Sequence, residues 1–149
     1  MRAIIQRVAW AEVEVEGRIV GRIEQGLLVY AGVGVDDGAA QARWLAEKVA
    51  NLRILTDEAG KLNRSVRDVG GRVLAISNFT VLADARKGRR PAFVAAAGSE
   101  QARPVHEAFL QALRDEGVGV EMGVFGAKMA IRSQADGPVN VIVDSPPQG

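Results

Sequence analysis

From Ala11 to Glu16 the chain alternates strictly, with Val13 and Val15 set against Glu12, Glu14 and Glu16. A period of two puts the valines on one face and the carboxylates on the other, which is the pattern of a half-buried strand. Gly17-Arg18 supplies a turn, and Ile19–Glu24 returns as the second arm of a hairpin. Leu27–Val33 is continuously apolar, as expected of a strand covered on both faces. The period then changes. Ala42, Leu45, Val49 and Leu52 recur at helical spacing within residues 39–53, opposite Arg43, Glu47 and Lys48. Asp36 or Asp37 stands where a cap for that helix belongs. A Gly- and charge-bearing stretch over residues 57–71 leads to a buried strand, Arg72–Ile76. A second helix runs from about Ser99 to Glu116, with Ala102, Val105, Phe109, Ala112 and Leu113 on one side and Pro104 near its first turn. Strands return in Ala127–Ser133 and Val139–Asp144, separated by Asp136-Gly137-Pro138, a turn-like punctuation.

About eight strands and two main helices in one domain define an α/β fold over residues 1–145. The strand-helix units lie between strand-rich ends, which favours a mixed sheet over a purely parallel one. No repeat or low-complexity linker divides the chain, and residues 146–149 read as a flexible tail.

Composition narrows the chemistry. The 149 residues are 48% hydrophobic and 25% charged, enough for one domain with a real core. With Cys 0 and His 1 there is no thiol nucleophile, no disulfide framework, and no thiolate or multi-His metal site within one chain. No metal and no cofactor is expected, and the reduced-compartment character points to the cytosol. No apolar run approaches the ~18–20 residues of a membrane span, so no membrane partner is expected. Lys plus Arg number 19 against 18 for Asp plus Glu, so only local clustering can indicate a partner.

Several segments carry candidate chemistry. Gly32-Val33-Gly34 follows a strand and precedes a helix, but Asp37 occupies the third glycine of a dinucleotide fingerprint, which leaves a turn pair. His106 lies beside the apolar stripe of the second helix with no orienting partner in the sequence, and reads as a helix-flank residue. Four cations, Arg86, Lys87, Arg89 and Arg90, crowd a Gly- and Pro-bearing loop after a strand end; a solvated loop and a phosphate-backbone contact are equally compatible with it. Ser77-Asn78-Phe79-Thr80 places two hydroxyls, an amide and an aromatic where a strand meets its loop, a common location for sites and also for backbone-bonded strand ends. The Gly137-Pro138 bond should be trans on base rates alone, since only about 5–6% of X-Pro bonds in folded proteins are cis.

Taken together, these segments resemble the D-aminoacyl-tRNA deacylases. Ser77-Asn78-Phe79-Thr80-Val81 is similar to the family's Ser-Gln-Phe-Thr-Leu motif, and Gly137-Pro138-Val139-Asn140 to its Gly-Pro-Val-Thr motif. The opening Met1–Val8, the basic Arg86–Phe93 and Phe125-Gly126-Ala127-Lys128-Met129 are similar to family segments in the same order. Asn78, Val81 and Asn140 depart from the family pattern.

The resemblance implies a single three-layer domain, its mixed sheet wrapped in a barrel-like way with helices packed on one side, and a homodimer with active sites at the subunit interface. The implied reaction is hydrolysis of the ester between a D-amino acid, or mischarged glycine, and the 3′-terminal adenosine of tRNA. Gly137-Pro138 would be a cis dipeptide inserted into the partner's pocket, its carbonyls holding the α-amino group so that an L side chain clashes. Ser77, Asn78, Phe79 and Thr80 would line the pocket, with backbone N–H groups around Phe79 as oxyanion donors. Met129 would pack against the adenosine, or simply in the core. Thr80 has two open roles: a nucleophile, for which no base stands in the matched motifs, or a group that positions the ester while the ribose 2′-OH assists. Arg86, Lys87, Arg89 and Arg90 would meet the tRNA backbone. A non-catalytic tRNA-end-binding module and a small-ligand-binding dimer are the rival readings.

Overall fold

The computed structural model describes residues 1–147. β1 (Arg2–Val15), β2 (Arg18–Ile23) and β3 (Gly26–Gly32) open the chain, followed by α1 (Ala39–Asn51) and a small ribbon of β4 (Leu55–Thr56) and β5 (Leu62–Arg64). β6 (Arg72–Ser77), a 3-10 turn (Phe79–Leu82), α2 (Ser99–Asp115), β7 (Gly119–Met122) and β8 (Ala130–Asp144) follow.

β1 is the hub of the sheet. One edge pairs antiparallel with β3 near its start and with β2 near its end, and the other edge pairs with β8 along almost its whole length. The pairs β3–β6 and β6–β7 are parallel, so the sheet is mixed, in the order β2-β1-β3-β6-β7 with β8 beyond β1. The sheet curls until β2 lies against β7: a Cβ on Gly21 would stand 2.7 Å from the Met122 carbonyl oxygen. The nearly closed, barrel-like sheet with both helices on one side is the architecture the resemblance implied.

The apolar run of β3 follows from this wrapping. Leu27 and Val29 join Val73, Ala75, Leu45 and Phe109 under the helices. Leu28 instead joins Val8, Val13, Ile23, Leu74 and Ile76 inside the wrapped wall. Alternate residues of one strand thus serve two cores, and no position can be polar.

Three expectations need correction. Neither Asp36 nor Asp37 caps α1. Gly38 holds the cap position and its N–H donates to Gln41 Oε1 at 2.9 Å. Asp37 Oδ2 instead accepts from the Gly34 N–H at 2.6 Å and lies 2.5 Å from the amino group of Met1. The two C-terminal strands are one, because Asp136-Gly137-Pro138 does not reverse the chain. The register slips between Val8↔Ala135 and Gln6↔Asn140, so residues 136–139 stand as a bulge against Arg7. The Gly137-Pro138 bond is cis, against the base rate and in line with the resemblance. Of the expected tail, Pro146 and Pro147 carry no regular structure, and Gln148 and Gly149 lie outside the described residues.

Candidate active site

β3 and β6 end side by side, with Ala31 paired to Ser77. The carboxyl ends of parallel strands leave a crevice where the chain turns away. Here the Asn78 N–H donates to the Ala31 carbonyl at 2.9 Å. The Asn78 side chain then starts the 3-10 turn: Oδ1 accepts from the Thr80 N–H at 3.1 Å and from the Thr80 hydroxyl at 2.6 Å. Neither bond engages the N–H of Phe79, which lies between them in the chain. Gly32 lets the turn approach β3, since a Cβ there would meet Val81 Cγ2 at 2.6 Å and the Asn78 carbonyl oxygen at 3.0 Å.

A cavity of about 380 Å³ opens at this corner. Tyr30, Ile76, Met129 and Ile131 form a wall continuous with the wrapped core, and Val33, Ala97, Ala102 and Phe125 form the helix-side wall. Ser77, Asn78 and Phe79 lie between them. Gly123 makes room for Met129, whose Sδ would be 2.5 Å from a Cβ there. The lining holds no carboxylate, amine or imidazole, and burial raises the Tyr30 hydroxyl above its ordinary value. The cavity is therefore neutral near pH 7.

His106 is not part of it. It lies behind Phe125, with ring centroids 6.0 Å apart, in a smaller cavity of about 240 Å³ that shares Ser77 and Phe125 with the first. Only 5% of His106 is exposed, its Nδ1 has no hydrogen-bond partner among the described residues, and burial pushes the imidazole down to about 4. A depression of about 390 Å³ along the last turns of α1, lined by Trp44, Lys48 and Arg53, contains none of the candidate site residues read from the sequence.

Gly137 and Pro138 are exposed on the bulge and do not line the cavity of their own chain. The bulge is held from beneath by Arg7, 8% exposed. Arg7 Nε donates to the Asp136 carbonyl at 3.0 Å, and its Nη1 donates to the Ile54 carbonyl at 3.1 Å and to Thr56 Oγ1 at 3.0 Å. Asn140, one of the departures from the family motif, accepts from Gln6 Nε2 at 3.1 Å.

The basic loop is closed by a bridge between Asp84 and Ala92, with both N–H···O distances 2.8 Å. Arg86 is folded back onto Asp84, with Nε and Nη2 at 2.9 and 2.7 Å from its oxygens. That pairing holds the Asp84 carboxyl below its ordinary value. Among the described residues, Lys87, Arg89 and Arg90 are exposed and form no ion pair. The strand glutamates Glu12 and Glu14 face Arg132, and Glu12 also meets Arg22 at 2.8 Å.

Of the residues singled out from the sequence, the cavity brings together Ser77, Asn78, Phe79 and Met129. Thr80 is exposed beside it, tied to Asn78. Sequence reasoning missed Tyr30 and Ala97, and gave no role to Arg7, which lies in the opening Met1–Val8 segment matched by resemblance. Phe125 lay in a segment matched by resemblance, the one signal that pointed to it.

The fold and this corner define a mixed-sheet α/β protein with a neutral cavity at the ends of parallel strands. The family model described as D-Tyr-tRNA(Tyr) deacylase matches residues 4–144. The D-aminoacyl-tRNA deacylases of Thermus aquaticus and Koribacter versatilis are each 53% identical over 145 residues, which is 97% of this chain and 95% and 97% of theirs. A solved structure described as c-Myc DNA Unwinding Element Binding Protein superposes with a TM-score of 0.91 at 36% identity, covering 98% of this chain and 99% of that one. A probable eukaryotic D-amino acid tRNA deacylase shares the fold, with a TM-score of 0.84 at 15% identity over 95% and 97% of the two chains. The chain belongs to the D-aminoacyl-tRNA deacylase family.

Proposed function

We propose that this deacylase hydrolyses the ester between a D-amino acid and the 3′-terminal adenosine of tRNA, that it also clears glycine attached to tRNA, and that it does so in the cytosol as a chiral check on translation. One observation carries this reading. The family's two motifs are separated, with Ser77-Asn78-Phe79 lining a neutral cavity and Gly137-Pro138 projecting from β8 outside it. Such a division suits a homodimer in which each bulge completes the partner's cavity.

The neutral, partly aromatic cavity receives the adenosine, with Met129 and Tyr30 against it. The ester carbonyl lies toward the Phe79 N–H, which stabilises the oxyanion as water adds. The C–O3′ bond then breaks and the ribose oxygen takes a proton. Thr80 gives its hydroxyl hydrogen to Asn78 Oδ1, an amide oxygen that serves as an acceptor and not as a base. Thr80 therefore offers lone pairs that position the substrate, and the ribose 2′-OH assists the attack. The partner's Gly137 and Pro138 carbonyls accept from the α-ammonium. With the amine fixed there, an L side chain points into the dipeptide, a D side chain points away, and glycine has none to exclude. Lys87, Arg89 and Arg90 meet phosphates, and Arg86 joins them by leaving Asp84, since an exposed ion pair is weak.

The test is single-turnover release of D-amino acid from D-aminoacyl-tRNA with no added metal. Thr80→Ala should retain most of the rate, and a 2′-deoxy terminal adenosine should lose about a hundredfold or more. The reverse pattern would make Thr80 the nucleophile. Tight binding without turnover would leave a tRNA-end-binding module and overturn the proposal.

A further inference from the structure

Phe79 and Phe93 form an aromatic pair that the folded chain leaves in solvent. Their ring centroids are 5.1 Å apart at 73°, an edge-to-face contact, and they are 53% and 38% exposed. Large aromatic rings normally bury in the core, so a contiguous exposed pair marks a surface with an occupant. The pair is built rather than incidental. Ala92, next to Phe93, is pinned by both bonds of the Asp84 bridge, and the Phe93 carbonyl accepts from the Ala96 N–H at 3.1 Å. The backbone is thus held on both sides of the ring. Phe79 lines the cavity and Phe93 does not, so the pair leads outward from the adenosine position. The same bridge closes the loop that carries Lys87, Arg89 and Arg90, exposed and without ion pairs among the described residues.

We infer that Phe93, with the outer edge of Phe79, is a stacking platform for the unpaired nucleobase immediately 5′ of the terminal adenosine, and that the adjoining cations hold the phosphates on either side of it. Two rings near a right angle let a flat base stack on one face while its edge meets the other ring. Aromatic rings beside a cationic track are how proteins hold single-stranded RNA with little regard to sequence. Charge complementarity selects this occupant, because an apolar surface of a second subunit would not call for three unpaired cations at its border. The inference rests on the deacylase reading and deepens it: affinity for the RNA extends one nucleotide beyond the reacting end.

The test compares two substrates, a D-phenylalanyl ester of adenosine and the same ester of cytidylyl-(3′→5′)-adenosine, with a dinucleotide whose cytosine is replaced by an abasic ribose as the control. In the wild type, kcat/KM should rise from adenosine to the dinucleotide, with the abasic dinucleotide between them. Phe93→Ala should lower kcat/KM about tenfold on the dinucleotide, chiefly through KM, and leave the adenosine ester unchanged. Phe93→Trp should restore the dinucleotide. Equal losses on both esters would make Phe93 a structural or subunit-contact residue and overturn the inference, as would no loss on either. A wild type that hydrolyses neither these three esters nor D-phenylalanyl-tRNA would instead overturn the deacylase reading itself.

Discussion

The hydroxyl hydrogen of Thr80 is committed to Asn78, and that fixes what the residue can offer. Asn78→Ala would release both the hydroxyl and the start of the 3-10 turn, two hydrogen bonds worth about 1 kcal/mol each. The expected result is a kcat reduced about tenfold or more and a melting temperature lowered by several degrees, in keeping with a loss of about 2 kcal/mol, read by single-turnover hydrolysis and calorimetry. His106 makes a separate prediction. Its folded-state value of about 4 lies below the ordinary 6.5, so the unfolded chain binds the extra proton between these values. Stability from this group is therefore complete above about pH 6.5 and falls by about 3 kcal/mol as pH drops toward 4. Arg103 and Glu107 share its cavity, and the lowered Asp57, Asp68, Asp84 and Asp144 carboxyls act mainly below the ordinary 3.8, outside that window. Urea unfolding between pH 4 and 7 should show the slope in the wild type and lose it in His106→Leu. At this scale the sequence was legible where a motif carried the residue, as at Ser77–Thr80. It gave Arg7 no role, because its partners Ile54, Thr56 and Asp136 are distant in sequence and meet it only through folding.

Among the elements, the two features nearest the chemistry are a close approach and a bulge. Gly32→Ala would drive a methyl into Val81 and the Asn78 carbonyl, moving the 3-10 turn away from β3. A destabilisation of about 1–3 kcal/mol is expected, together with a loss of activity larger than that unfolding explains at a temperature where the variant is fully folded. Circular dichroism and hydrolysis measured side by side check both parts. Periodicity located both helices and the Ala11–Val15 end of β1, each of which buries a regular face, and unbroken apolar runs located β3 and β6; the Arg2–Trp10 part of β1 was not read as strand. Periodicity failed at β8, where Gly and Pro signal a turn, because a bulge and a turn use the same residues and only the pairing with β1 tells them apart. The short ribbon of β4 and β5 has too few residues to show a period.

For the whole molecule, the proposed dimer predicts that bulge and cavity can be supplied by different chains. Gly137→Val places a side chain against Val139 and Arg7 at a φ of +128° and should displace the bulge. Ala127→Trp should fill the cavity it lines. Each variant alone should be inactive, and co-refolding equal amounts should recover about a quarter of wild-type activity, from the mixed dimers in which an intact cavity meets an intact bulge. No recovery would place cavity and dipeptide in the same chain. The sequence pattern alone carried the wrapped sheet only as far as a mixed α/β fold; closure depends on β2 reaching β7, a contact without local signature. The proposed chiral check turns on handedness at the substrate's α-carbon. The most direct measurement is the single-turnover rate of the wild-type protein on D-tyrosyl-tRNA and on L-tyrosyl-tRNA under the same conditions. The D form should be cleaved faster by about a hundredfold or more; equal rates on the two would rule out a chiral check at the Gly137-Pro138 dipeptide.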